Sequence, residues 1–226
     1  STVQAFAEMM AAASARRGVR GGMLVIADRT ASAEEAIEQA NVAARMAGRG
    51  VVGFGLANYE PGYPGAPFER AFAIAKEAGL VIAPHAGELV GPAAVEEALD
   101  LLQADRIGHG VTAAQDPDLV TRLAASGVCL DVCPSSNLRL GMFAGWAEHP
   151  LPLLINAGVR CSINADDPII FGVNILDEYE NCRTRMGLTN SQLMWAARCS
   201  IEASAAEASL KTGWVAALET ESRRCV

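Results

Sequence analysis

The fold of this 226-residue chain is constrained most strongly by a regular alternation of short apolar runs with longer amphipathic segments. Six runs are almost continuously apolar, which is typical of strands covered by helices on both faces. Strands that alternate with helices of about 10–15 residues predict βαβ units and a parallel sheet. The six predicted strands lie at residues 22–27, 50–57, 80–84, 106–108, 128–134 and 159–165.

The segments between and around these runs are predicted to be helical. Ser32 is the expected N-cap of the helix after the first strand, because two glutamates follow it within the first turn. Residues 3–17 are predicted to form an alanine-rich helix, and the chain beyond Phe171 is predicted to be helical to its end. No low-complexity segment or long linker interrupts the pattern, so we expect a single domain.

The composition narrows the classes of function. A net charge of −8 disfavours a nucleic-acid partner, and no apolar run is long enough to span a membrane. The first residues lack a charged segment ahead of an apolar one, so they do not match a secretory signal and we expect a cytoplasmic protein. The six cysteines are expected to be buried free thiols, since disulfide frameworks are typical of short secreted chains.

Polar residues follow the carboxyl ends of five predicted strands. These ends form the active-site face of a β/α barrel, and side chains from different strands also meet there on an open doubly wound sheet. Both architectures therefore remain open at this point, and both predict one shared pocket. The residues concerned are Asn58 and Glu60, His85 and Glu88, His109, Ser135 to Asn137, and Asp166 and Asp167.

The types of these residues indicate metal-assisted acid–base chemistry. Neutral imidazole and carboxylate are ligands of zinc, so His85 and Asp166 are candidate ligands. Glu88, His109 and Asp167 are candidates for proton transfer or substrate contact. Singly, each motif has a structural explanation, since "GHG" is often a turn and "DDP" is often a helix N-cap. Five such groups at neighbouring strand ends favour a shared functional site.

Four motifs resemble those of the adenosine deaminase family of metal-dependent purine deaminases. They are "HAGE", "DRIGHG", "CPSSN" and "INADDP", in this order and with similar spacing, and the resemblance covers essentially the whole chain. It implies a (β/α)8 barrel of the TIM type, with Zn²⁺ at the mouth formed by the carboxyl ends of the strands.

The resemblance also implies a role for each residue that matches a motif. His85 resembles a metal ligand, and Glu88 resembles the acid that protonates N1 of the purine ring. His109 is similar to the histidine that orients the attacking water and helps to deprotonate it. Asp166 resembles both a zinc ligand and a base for that water, while Asp167 resembles a hydrogen-bond partner of the purine N7.

Two further polar groups are assigned structural parts. His149, in "EHPLPLL", precedes a helix and does not follow a strand, so we interpret it as part of a helix start and not as a ligand. Ser135 to Asn137 of "CPSSN" are expected to shape the pocket wall and to satisfy backbone groups, with no direct catalytic part.

The chain departs from the family pattern in two places. The family's first strand carries a His-x-His pair that supplies two zinc ligands, and this chain has only three histidines and no such pair. The chain resembles barrel strands three to eight, which predicts an incomplete barrel domain over residues 1–226, with helices at its C-terminal end. In "LANYE", Asn58 replaces the glycine whose backbone approaches the purine N3 in the family.

The main prediction is zinc-dependent hydrolytic deamination of an aminopurine or its nucleoside at C6, with release of ammonia. Adenosine, adenine and a modified nucleoside such as aminodeoxyfutalosine all remain open as the small-molecule substrate. One alternative is a truncated, inactive barrel fragment or binding module that cannot hold zinc and self-associates through its open edges. A third, less favoured alternative is a different metal-dependent amidohydrolase acting on a cyclic amide.

Overall fold

The computed structural model of the chain describes residues 2–224, and its centre is one parallel β-sheet. The six strands are hydrogen-bonded in the order in which they occur along the chain, and every neighbouring pair is parallel. Successive parallel neighbours need a crossover each, which the intervening helices supply. The strands are β1 (Met23–Asp28), β2 (Val51–Ala57), β3 (Val81–Ala86), β4 (Arg106–His109), β5 (Cys129–Val132) and β6 (Arg160–Ile163).

Helices fill the crossovers and extend beyond the last strand. They are α1 (Thr2–Arg17), α2 (Ala33–Arg45), α3 (Glu69–Glu77), α4 (Ala93–Asp100), α5 (Pro117–Ser126), α6 (Pro134–Arg139), α7 (Leu151–Asn156), α8 (Pro168–Phe171), α9 (Ile175–Thr184), α10 (Asn190–Ala203) and α11 (Ala208–Arg224). Short 3₁₀ turns lie at Ala66–Phe68, Val111–Gln115 and Trp146–Glu148. The fold class predicted from the sequence is confirmed, since six parallel strands follow one another as strands three to eight of a β/α barrel would.

Several predicted boundaries were wrong by one or two residues, since β3 runs on to Ala86 and β6 ends at Ile163, and two local differences have a clear cause. The fifth strand ends at Val132, because Pro134 occupies the first turn of α6, where its missing N–H and fixed φ suit a helix start. The chain beyond Phe171 is not one continuous helical region. Asn174 and Thr189 each form a capping box, which starts a new helix after a turn.

Helix α2 shows how the sequence sets one crossover. The Ser32 hydroxyl accepts a hydrogen bond from the Glu35 N–H at 3.1 Å, which confirms the predicted N-cap. The buried face of α2 consists of Ala36, Ala40 and Ala43, spaced four and three residues apart. These small side chains leave room for α2 to lie close to the sheet and to α3.

The core lies where the helices pack against the sheet. Around β2 and β3, the Phe54 and Phe72 rings pack edge to face with centroids 5.1 Å apart. The five cysteines within the described residues are free and buried, as expected, while Cys225 lies outside those residues. Among the described residues, no helix combines the length and the apolarity needed to cross a membrane.

Apolar side chains remain exposed at both ends of the sheet. Leu24 and Ile26 of β1 are 42% and 50% exposed, and they share one face of the strand. Beyond β6, Ile169, Ile170 and Leu176 are also exposed. In the part of the chain that the structure describes, β1 and β6 each have one strand neighbour.

Candidate active site

Two of the three histidines lie side by side at the carboxyl ends of β3 and β4. His85 pairs with Gly108 in the parallel register, and the His85 and His109 ring centroids are 5.2 Å apart. A Cβ at position 108 would lie 2.9 Å from Cγ of His85. The first glycine of "GHG" therefore leaves the space that the His85 ring fills.

Two carboxylates approach the buried His109 ring. Nε2 of His109 lies 3.4 Å from Oε1 of Glu88 and 3.9 Å from Oδ2 of Asp166. The side chain of His109 is 2% exposed, that of Glu88 14% and that of Asp166 23%. Four predicted site residues, from three different strand ends, thus meet in one place.

The other two predicted residues stand apart from this group. Asp167 is exposed at the N-cap position of α8, and its side chain makes no capping hydrogen bond. Asn58 is exposed, and its amide donates to Oδ2 of Asp28 at 2.9 Å while its Oδ1 accepts from the Tyr59 N–H at 2.7 Å. Among the described residues, no hydrogen bond joins Asp167 or Asn58 to the other four.

Left-handed backbone conformations concentrate at these strand ends. Four non-glycine residues of the described chain have positive φ, and three of them are Asn58 (85°), His109 (62°) and Asp166 (54°). Such conformations are uncommon outside glycine and cluster at functional sites. At position 58 the φ value also explains why glycine suits this turn and why asparagine, which tolerates the same region, can replace it.

Glu60 organises the loop that carries Glu88, a role that the sequence did not reveal. Its buried carboxylate accepts hydrogen bonds from four successive backbone N–H groups, those of Gly87 (2.6 Å), Glu88 (3.0 Å), Leu89 (2.7 Å) and Val90 (3.2 Å). Charge-assisted bonds of this kind are stronger than those between neutral groups. The only sequence signal was a glutamate two residues beyond Asn58, just after a strand.

Arg29 fixes the backbone beside His85. Its guanidinium is buried and donates to the carbonyl oxygens of His85 and Tyr63, the latter at 2.9 Å. The end of β3 is therefore held to the end of β1 by a charged donor.

Burial sets the protonation states of the site. It raises the pKa of Glu88 to about 7, with smaller contributions from the negative charges of Asp166 and Glu60. Burial, and then the neighbouring His85, lowers the pKa of His109 to about 3. Burial also lowers the pKa of His85. Near neutral pH the site thus contains two uncharged imidazoles and one carboxyl group that can exchange a proton.

The hydrogen bonding of His85 suits it to hold a metal ion. Its Nδ1 lies 3.0 Å from the carbonyl oxygen of Leu56, which can only accept, so the proton is on Nδ1 and Nε2 has a free lone pair. A metal-binding histidine commonly donates its other ring N–H to such a carbonyl.

Further donor atoms for a metal ion lie close by. Ligand atoms of His109, Cys133 and Asp166 all fall within 4.8 Å of one another. Burial raises the pKa of the Cys133 thiol well above its usual range, and this thiol donates to the Asp131 carbonyl at 3.5 Å. Imidazole nitrogen, carboxylate oxygen and sulfur are the atoms that zinc takes as ligands in proteins. Nε2 of His85 and the carboxylate of Asp166 therefore fit a zinc ion, whereas the Cys133 sulfur is a protonated thiol.

A second row of buried polar groups lies behind His109. The Asn137 amide nitrogen is 3.2 Å from Nδ1 of His109, and Oδ1 of Asn137 is 3.3 Å from Nε2 of His149. Nδ1 of His149 accepts the Leu151 N–H at 3.2 Å, at the start of α7. His149 does belong to a helix start, as expected, but no sequence motif indicated that Asn137 contacts His109.

Comparison with known sequences gives one family and many relatives. The family model described as adenosine deaminase matches residues 1–220. A Streptomyces coelicolor protein named as a putative adenosine/adenine deaminase is 47% identical over 194 residues, which are 86% of this chain and 57% of that protein. The chain thus spans little more than half the length of this relative.

Two solved structures also superpose closely on this chain. The adenine deaminase of Arthrobacter aurescens superposes with a TM-score of 0.88 at 32% identity, over 96% of this chain and 66% of that one. An amidohydrolase from Burkholderia ambifaria, crystallised with zinc, gives a TM-score of 0.88 at 28% identity, over 94% of this chain and 59% of that one.

Proposed function

This chain belongs to the adenosine deaminase family, and from that premise we propose that it acts in the zinc-dependent hydrolytic deamination of an aminopurine at C6. The observation that carries the proposal is the position of Nε2 of His109 between Oε1 of Glu88 and Oδ2 of Asp166. One carboxyl group with a pKa of about 7 and a second carboxylate flank the same point, which is what paired proton transfers require.

In the proposed reaction, water adds to C6 of the purine, the bond from C6 to the amino nitrogen breaks, and ammonia leaves. Glu88, protonated, donates its proton to N1 as water adds. Asp166 accepts a proton from the attacking water, which His109 orients, and passes that proton to the amino nitrogen, which leaves as ammonia. The C6 hydroxyl returns its proton to Glu88 as the C6–oxygen double bond forms, so both carboxyl groups regain their starting states. Each group lies within a few ångströms of the others, so the transfers need no large movement.

We propose His85 and Asp166 as the zinc ligands from this chain. When bound, zinc would lower the pKa of water and so favour a hydroxide near neutral pH. A catalytic zinc normally has at least three protein ligands. We therefore propose that a His-x-His pair, as on the first strand of the family barrel, completes the set.

The substrate is proposed to be a small molecule, either adenine or adenosine. Exposed Asp167 is the proposed partner of the purine N7, and the backbone of Asn58 the proposed neighbour of N3. The similarity to proteins named as adenine and adenosine deaminases supports both substrates and does not favour a purely structural binding module. The cytoplasmic location stays a prediction.

The test is a purine deamination assay on residues 1–226 completed with the N-terminal segment of the Streptomyces coelicolor relative and loaded with zinc. We expect ammonia release from adenine or adenosine. Glu88→Gln should keep the zinc and reduce turnover by about 10²–10⁴-fold, the range for a lost general acid. Asp166→Ala should lose zinc and activity together.

The exposed Glu77→Gln variant on α3 is the matched control, because it removes a carboxylate charge far from the sheet edge. It should leave turnover unchanged. A zinc-loaded protein that releases no ammonia from either purine, or a Glu88→Gln variant of normal rate, would contradict the proposal.

A further inference from the structure

We propose that Asn137 and His149 are positioning residues that hold His109 in the tautomer with its proton on Nε2. The proposal concerns a chain of three hydrogen bonds that begins at a backbone N–H group and ends at the His109 ring. It rests on the proposed function only for its catalytic consequence.

The first step fixes the tautomer of His149. The Leu151 N–H can only donate, so Nδ1 of His149, 3.2 Å away, must accept. Burial lowers the pKa of His149 to about 4, so the ring is neutral near pH 7. A neutral imidazole that accepts at Nδ1 carries its proton on Nε2.

The second step orients the Asn137 amide. Nε2–H of His149 donates to the group 3.3 Å away, which must be the carbonyl oxygen Oδ1 of Asn137. The amide nitrogen of Asn137 then faces the other side, towards His109. Asn137 is completely buried, so water cannot supply alternative partners and reverse the amide.

The third step fixes His109 itself. The Asn137 amide donates to Nδ1 of His109 at 3.2 Å, so Nδ1 is the accepting nitrogen. An imidazole that accepts at Nδ1 carries its proton on Nε2, which is the atom that faces Glu88 and Asp166. His85 has the opposite tautomer, with a lone pair on Nε2.

The proposed tautomer gives His109 and Asp166 different roles in catalysis. With Nε2 protonated, His109 is a hydrogen-bond donor on the side of Glu88 and Asp166 and stabilises negative charge on the attacking oxygen. It does not accept the proton of the water in this state, which leaves Asp166 as the base. Swapping the imidazole tautomer in a serine protease triad costs about 10⁴-fold in kcat, so the orientation of such a ring is a large effect.

The direct test is the ¹⁵N spectrum of the imidazole groups in residues 1–226 as they stand, since protonated and unprotonated ring nitrogens have well-separated shifts. Only three histidines are present, so single substitutions assign every signal. We expect His109 to be protonated on Nε2 alone and His85 on Nδ1 alone. A wild-type His109 with its proton on Nδ1 would overturn the proposal without any variant.

Each variant alters one member of this chain of hydrogen bonds. Asn137→Asp offers an acceptor to His109, so Nδ1 of His109 should become protonated. His149→Gln keeps a donor facing Asn137 and should preserve the tautomer. His149→Phe removes that donor, so both His109 tautomers should appear. Asn41→Asp, the same substitution at an exposed site on α2, should change nothing.

The catalytic consequence is measured on the zinc-loaded, completed enzyme. Asn137→Asp should lower kcat by about 10²–10⁴-fold with little change in KM, while His149→Gln should retain most of kcat. An altered tautomer with unchanged kcat would overturn the positioning role and leave the deaminase proposal standing. If the wild type shows the expected spectrum but does not release ammonia, the deaminase proposal is contradicted and the tautomer assignment stands.

Discussion

At the scale of single residues, three copies of one side chain have different properties because their partners differ. Burial keeps His85, His109 and His149 uncharged near neutral pH. Their hydrogen-bond partners then decide which nitrogen carries the proton. His85 consequently has a lone pair on Nε2, whereas in the proposed hydrogen-bond chain His109 carries its proton on Nε2.

The buried, neutral His149 gives a prediction about acid stability. Its pKa falls from 6.5 to about 4 on folding, so below pH 6.5 the unfolded chain binds more protons than the folded one. Stability should therefore fall as the pH is lowered from 6.5 to about 4. The contribution of His149 is at most about 1.4 kcal/mol per pH unit in this window.

His149→Gln should remove that contribution and lose less stability than the wild type between pH 7 and pH 4.5. Urea unfolding at several pH values measures the difference, and the contributions of His85 and His109 cancel in the comparison. Parallel curves for the two proteins would show that His149 titrates normally in the fold.

The sequence indicated which polar residues follow strand ends, Glu60 and Asn137 among them, but it did not show that these two support other site residues. His85, His109 and Asp166 stood out because an apolar run stops directly before or beside each. Glu60 and Asn137 act on residues 27 to 30 positions and 28 positions away, respectively, so only the fold reveals their partners. Asp167 and Asn58 remain proposed substrate contacts.

At the scale of elements, the loop between β3 and α4 depends on one carboxylate. Four consecutive N–H groups converge on Glu60, and none of them is bonded within a helix or strand. Glu60, at the end of β2, therefore sets the shape of this loop together with Gly87, whose φ is 66°. Glu88 is thereby presented in a set position relative to His109.

Glu60→Gln should destabilise the fold, because an amide NH₂ would then face N–H groups that also donate. Leaving buried donors unpaired costs about 1–3 kcal/mol. We expect the loss in urea unfolding, together with a reduced kcat in the completed enzyme from a displaced Glu88. The exposed Glu77→Gln variant is again the control, and equal stability of the two variants would contradict this account of the loop.

At the scale of the whole molecule, the described sheet has two uncovered ends. Leu24 and Ile26 are half exposed on β1, and an exposed apolar strand edge is a site for association. We propose that residues 1–226 form one β/α domain whose sheet is continued by further strands in the barrel.

Residues 1–226 expressed as they stand should therefore bind zinc weakly, lack deaminase activity and self-associate as concentration rises. His85 and Asp166 offer two ligands where at least three are usual, and six strands cannot close an eight-stranded barrel. Zinc analysis, ammonia release and sedimentation measure the three properties. A monomer that is loaded with one zinc and is active on adenine would contradict this prediction.

The left-handed turns at Asn58, His109 and Asp166 place selection for stability and selection for function in opposition. Side chains other than glycine cost roughly 1–2 kcal/mol in this conformation, less for asparagine and aspartate. Selection for thermal stability alone would therefore favour glycine at these strand ends, and at His109 and Asp166 that change would remove side chains of the proposed site. A library of substitutions at these two positions should therefore give different rankings when it is scored for folded, soluble protein and when it is scored for deamination.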